Sequence, residues 1–139
     1  MQKAAAAIPS FHDGLLTSVL LGDHTATLGL KRSDGDAYEL DLIGLESLQV
    51  ENLRQGNIVS ELEVITGRLP QYADLDDRLE RLFPSPSASA AAKYHEAYLS
   101  FLAAALARVE SGEAAIVIVE SSYGCDLVGY CTTVALREP

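Results

Sequence analysis

The chain has no tryptophan, one methionine, two cysteines and three histidines, and its ten basic residues face twenty acidic ones. Each shortage removes a class of function. Cys125 and Cys131 are too few for the disulfide framework of a small secreted scaffold. On one continuous strand their α-carbons would also stand about 20 Å apart, whereas a bridge needs less than about 7 Å, so free thiols are expected. The histidines, at 12, 24 and 95, form with these cysteines no C-x-x-C, H-x-x-x-H or calcium-loop spacing. No metal and no cofactor are expected. No G-x-G-x-x-G follows a strand and no Gly-Lys-Ser loop occurs, which leaves no cradle for phosphate. The formal net charge of -10 repels phosphate backbones and anionic lipid heads, so neither nucleic acid nor a membrane surface is an expected partner. Met1 to Ile8 carries one lysine and a short alanine run, too little apolar length for a signal or a span; the protein is read as cytoplasmic.

What is present is an ordinary core. With 139 residues, 48% of them hydrophobic, the chain reads as a single domain, 1–139, with 1–9 as a flexible N-terminal segment. From Leu15 to Thr66 short alternating runs are separated by turn residues. Leu15, Thr17, Val19 and Leu21 are assigned to one face of a first strand, and Ala26, Leu28 and Leu30 to one face of the second. Ser33-Asp34-Gly35-Asp36 is a hairpin turn. Tyr38, Leu40 and Leu42 alternate with Glu39 and Asp41, then Leu48 and Val50 with Gln49 and Glu51. After a turn at Arg54-Gln55-Gly56-Asn57, Ile58, Leu62 and Val64 alternate with Glu61 and Glu63.

At Tyr72 the period changes to that of a short helix ending at Phe83, with aspartates early and arginines late as the helix dipole favours. Pro84 to Ser87 is a linker. Ala88 to Glu110 reads as a long amphipathic helix whose core stripe is Tyr94, Tyr98, Phe101, Leu102, Ala105, Leu106 and Val109, stopped by Gly112. Ala115 to Val119 is apolar throughout, the mark of a strand buried on both faces, and Asp126 to Leu136 forms the last strand. The fold class is therefore α+β: a twisted, mainly antiparallel sheet or partly closed sandwich with one long helix and one short helix.

His12 beside Asp13 is the most site-like pair, a base and its orienter if a turn brings them together. The competing reading gives both a structural role at the entrance to the first strand. Tyr94, His95 and Tyr98 would line any ligand pocket between the long helix and the sheet. Ser121 and Cys125 lack a nucleophile elbow and a neighbouring base, so no catalytic residue is assigned.

Pro9-Ser10-Phe11-His12-Asp13 before a strand, Gly44-Leu45 at a strand start and Gly56-Asn57-Ile58-Val59 resemble the layout of some bacterial immunity-protein families, which open with an aromatic-His-Asp stretch. The resemblance covers the N-terminal half and stops before the alanine-rich helix. It implies a small cytoplasmic β-rich domain that acts by binding another protein, and it carries over no functional residue. The first reading is accordingly a non-catalytic protein-interaction module with a protein partner, binding through an acidic face or a sheet edge and with self-association into a homo-oligomer left open. The alternative is a small-ligand-binding domain or hydrolase using the helix-sheet pocket.

Overall fold

Turn chemistry sets the first half of the fold. The computed structural model describes residues 2, 3 and 8–139, so the expectation for segment 1–9 falls largely outside the described residues. Strand β1 is Gln2–Lys3; β2 (Leu15–Gly22) and β3 (Thr25–Lys31) form a hairpin closed by the pair Gly22↔Thr25. At the next turn the Asp34 carboxylate accepts the Asp36 N–H at 2.9 Å. It returns the chain as β4 (Ala37–Ile43), paired with β3 without interruption from Thr25↔Ile43 to Lys31↔Ala37. Strands β5 (Ser47–Glu51) and β6 (Asn57–Ile65) follow. A 3-10 turn, Gln71–Ala73, then leads through Asp74 into helix α1 (Leu75–Leu82). Helix α2 (Ala92–Ser111) ends at Gly112, and β7 (Ala115–Tyr123), β8 (Asp126–Cys131) and β9 (Thr133–Arg137) complete the chain. No helix among the described residues is long and apolar enough to cross a membrane.

All pairings are antiparallel, in the order β1-β9-β4-β3-β2-β6-β7-β8-β5. The sheet is folded on itself at two places. Thr132 separates β8 from β9, and its N–H is shared between the carbonyls of Ile43 and Gly44 at 3.0 and 3.2 Å. The chain therefore leaves β5 and β7 and joins β4 and β1 at a single residue, so the expected strand from Asp126 to Leu136 is two strands. On the opposite side β2 meets β6 through only Leu15↔Ile58 and Leu16↔Asn57. Two half-sheets thus enclose one core containing Phe11, Leu28, Leu40, Leu42, Val117, Leu127 and Leu136.

A second core lies on the other side of β7. Leu79 from α1 and Leu102, Ala105 and Val109 from α2 cover Ile65, Ile116, Ile118, Val128 and Tyr130. The apolar run Ala115 to Val119 is explained by this arrangement: Ala115, Val117 and Val119 face the sandwich while Ile116 and Ile118 face the helices, so neither parity meets water.

Three expectations need correction. In β2 the register shifts between Leu16 and Ser18; Leu16 is buried, Thr17 is exposed, and Leu21 is 66% exposed. An extra residue in one strand resets its inside-outside alternation, so the inner face carries Leu16, Val19 and Leu21, opposite Leu30, Leu28 and Ala26, and not Leu15 or Thr17. The same happens in β6, whose register shifts on either side of Val59 and which buries Val59 while leaving Ile58 half-buried. On the long helix, which starts at Ala92 rather than Ala88, Tyr94 and Phe101 are exposed at 55% and 48%. Its packed centre is Leu102, Ala105 and Val109 because Ala105 permits close approach: the Tyr130 hydroxyl donates to the Ala105 carbonyl at 2.8 Å.

On the outer face of β4, Asp41 accepts hydrogen bonds from Thr27 at 2.7 Å and from Arg137 at 2.9 Å. Burial by itself would raise the Asp41 carboxyl, but the bonds from Arg137 and Thr27 and the Arg137 charge outweigh it and hold the pKa below the ordinary value. A depressed folded pKa contributes stability that is present above the unfolded value, about 3.9, and is lost as pH falls through the folded one. Asp41→Asn should therefore flatten the loss of stability below about pH 4, measured as the urea midpoint against pH; an unchanged acid limb would contradict it. For the helix, Leu102→Ala should cost about 2–5 kcal/mol and Phe101→Ala less, about 1–2 kcal/mol. Equal losses in urea unfolding would return the Phe101 ring to the core.

Candidate functional site

His12 and Asp13 lie in the turn that starts β2. The Gly14 N–H donates to the Phe11 carbonyl and the Asp13 N–H to the Val59 carbonyl, both at 2.8 Å, with Asp13 in the left-handed region at φ 61°. This turn supplies the geometry that an extended dipeptide lacks: His12 Nε2 is 3.5 Å from Asp13 Oδ2. His12 Nδ1 is 2.8 Å from the Ser60 carbonyl oxygen, which can only accept, so Nδ1 carries the proton in that bond. The ring is held by the Ser60 carbonyl, the Asp13 carboxylate lies near its other nitrogen, and among the described residues no hydroxyl or thiol bonds to it. Buried Phe11 packs edge-on to Tyr38, with ring centroids 5.4 Å apart. The arrangement ties the entrance of β2 to β6.

Tyr94, His95 and Tyr98 form a separate group on α2. The Tyr98 hydroxyl donates to the Phe83 carbonyl, Tyr94 lies beneath Lys93 with Nζ 5.1 Å from the ring centroid, and His95 is half-buried. Among the described residues no hydrogen bond, ion pair or ring contact joins this group to His12 and Asp13. Between helix and sheet there is a cavity of about 80 Å³, lined by Phe83, Phe101, Ala105, Arg108 and Tyr130 among others, and none of Tyr94, His95 or Tyr98 reaches it. Both cysteines are free and buried. Burial and the neighbouring Asp126 charge raise the Cys125 thiol, and burial pushes Cys131 up to about 12, the opposite of what a nucleophilic thiolate needs.

A larger apolar opening lies elsewhere. A groove of about 570 Å³ runs between the β2–β3 hairpin and β5, lined by Val19, Leu21, His24, Leu45, Leu48, Val50 and Leu53. It exists because β2 and β6 part after Leu16, leaving the rest of β2 unpaired on that side, while β5 is bonded only to β8. Leu21 and Leu53 stand at its mouth, 66% and 53% exposed. On its other flank β5 is anchored: the Ser47 hydroxyl donates to the Leu82 carbonyl at 2.7 Å and Glu46 pairs with Arg108 at 3.2 Å.

Buried Asn57 fixes the turn that carries Leu53. Its Oδ1 accepts from the N–H groups of Arg54 at 2.8 Å and Cys125 at 3.0 Å, and its Nδ2 donates to the Leu16 and Arg54 carbonyls. Gly124 permits this contact, since a Cβ there would sit 2.4 Å from Asn57 Oδ1. A buried amide with its bonds satisfied specifies one local geometry, here the base of the groove. The sequence signal for the groove was the pair Leu20-Leu21 against the Gly22 turn and Leu53 within a turn, leucines where polar residues are usual.

A second, polar cleft of about 260 Å³ between α1 and the strand ends holds Glu51, Arg78, Arg81, Glu120 and Asp126, and is partly closed by the Arg78–Glu120 pair at 2.9 Å. No family model, curated protein or solved structure matches the chain, so function is read from the geometry alone.

The backbone at Asp13 gives a direct test of the structural role. A left-handed residue without strain is glycine, whereas alanine there costs roughly 1 kcal/mol. Asp13→Gly should keep or slightly raise stability and Asp13→Ala should lower it by about 1 kcal/mol, read from thermal unfolding. Equal losses in both would show that the carboxylate, not the backbone, matters.

Proposed function

We propose that the chain is a non-catalytic protein-interaction module that seats its partner in the groove between the β2–β3 hairpin and β5. The observation that supports this most is the coincidence of an open apolar trough, leucines exposed at its mouth, and two bordering strands with an unpaired side. Leaving such leucines in water forgoes about 1.5–3 kcal/mol per side chain, which a partner restores by covering them. Large apolar patches on folded domains mark interaction sites. An immunity-like role, as the opening Phe11-His12-Asp13 implies, fits the same mode of action, because such a protein neutralises by covering another protein's surface. The helix-sheet pocket offers a weaker basis for ligand binding or hydrolysis, since the cavity there is about 80 Å³ and ligand sites are typically about 300–1,000 Å³.

The test places a photo-crosslinking amino acid at Leu21, Leu53 or Leu99 in the native cells, Leu99 being an equally exposed residue on α2. One adduct protein is expected from Leu21 and Leu53 and absent from Leu99. Adducts spread evenly over the three positions, or none at the groove, would remove the reading.

A further inference from the structure

This inference rests on the groove being the partner site and concerns the form and charge of what fills it. Among the described residues the folded sheet has two edges, β1 and β5. β1 is two residues long, whereas β5 is Ser47-Leu48-Gln49-Val50-Glu51. Edge strands are ordinarily blunted by proline, lysine, bulges or a covering element. β5 contains no proline and no lysine, and its register with β8 is unbroken from Ser47↔Tyr130 to Glu51↔Asp126. Its free side borders the groove.

A strand directs alternate N–H and C=O groups to each side, and its side chains alternate between faces. An extended segment pairing with β5 would satisfy those outward groups. Every second side chain would then enter a trough walled by Leu48, Val50, Val19 and Leu21. A helix lying in the same trough would leave the β5 backbone groups unpaired, so the edge favours an extended occupant.

Charge narrows the occupant further. Glu51 lies opposite Asp126 in register, both exposed, and among the described residues neither takes part in an ion pair. Like charges placed opposite one another are unfavourable, and a cation over them relieves the repulsion. Asp23, at the hairpin tip beside the groove, is 98% exposed. Glu46 is already paired with Arg108, Arg54 follows Leu53 in the chain, and in the cleft that holds Glu51 and Asp126 Arg78 is taken by Glu120, leaving Arg81 as a further cation there. The whole chain adds its field of -10, which draws in a basic partner and repels a second copy of itself.

We infer that the groove accepts an extended segment of a basic partner protein, added to β5 as a further strand, with alternate apolar side chains in the trough and lysine or arginine facing Glu51, Asp126 and Asp23. Synthetic peptides supply the probes: a capped heptapeptide alternating lysine and valine, its glutamate-valine counterpart, and two lysine-valine versions methylated on alternate backbone nitrogens, one for each side. Titrated into isotope-labelled protein, the lysine-valine peptide should shift the amide signals of Ser47 to Glu51 and of Val19 to Leu21. Its affinity should fall about tenfold or more between low and high salt. The glutamate peptide and one of the two methylated peptides should not bind. Asp23→Lys with Glu51→Lys, both on exposed positions, should weaken binding about tenfold at an unchanged melting temperature.

No binding by the lysine-valine peptide, equal binding by both methylated forms or by the glutamate form, or a concentration-dependent dimer in sedimentation would each overturn the inference. None of these outcomes touches cross-linking at Leu21 and Leu53, so strand addition can fail while the groove stands. Loss of the cross-links removes both.

Discussion

Everything else in this molecule hangs on the first half of β7, Ala115 to Val119, having no wet face. Its even and odd residues serve different cores, Val117 and Val119 the sandwich, Ile116 and Ile118 the helices. Because side chains on a strand alternate strictly, a slip of one residue would exchange the two sets. Both cores accept aliphatic side chains, however, so burial alone does not choose the register. The choice is made by neighbours of unequal size and polarity: Tyr130 must place its hydroxyl under the Ala105 carbonyl, and Asn57 must meet the Cys125 N–H. Specific polar contacts at the margins thus fix a strand whose own sequence, Ala-Ile-Val-Ile-Val, is nearly indifferent.

That central placement also explains why the sandwich is open where it is. The helices hold β6, β7 and β8 from one side, and the corner at Thr132 welds β8 to the β4 sheet through β9. Closure on the remaining side depends on β2 meeting β6, and that meeting ends at two residue pairs because Leu16 pairs with Asn57, where β6 begins. The bulge after Leu16 puts Val19 and Leu21 on the same inner face as Leu16, opposite Leu28 and Ala26, where they line a trough bordered by β2 and β5. Bulges recur next to functional sites for this reason, since they re-aim side chains.

The local part of this design was legible in the sequence. Alternation placed Ala26, Leu28, Leu30, Leu40 and Leu42 correctly, and all five are buried; the unbroken apolar run gave the two-faced strand; Gly112 ended the long helix as expected. What failed was whatever depends on an inserted residue or on rotation about an axis. A bulge leaves no mark in a pattern of apolar and polar residues, so Thr17 and Ile58 were set on the wrong face. In α2 alanines occur all around the helix and blur the stripe, which let the aromatics claim the core when Leu102, Ala105 and Val109 hold it. The groove was invisible because it is a gap between segments far apart in sequence. His12 and Asp13 meet at 3.5 Å in the turn that opens β2, a turn the sequence reading required for any contact between them.

An unprotected edge strand beside exposed leucines is ordinarily a liability, because it offers a template for any passing strand, including that of another copy. Two properties limit the hazard without blunting the edge itself. β5 is short, so an accidental pairing gains few hydrogen bonds, and the chain's charge of -10 makes two copies repel before their edges meet. The same field that separates copies attracts a basic segment, so protection and selection come from one property. Under the proposed strand addition the acidic composition gains a role beyond solubility: with the edge left open, net charge selects which strand arrives.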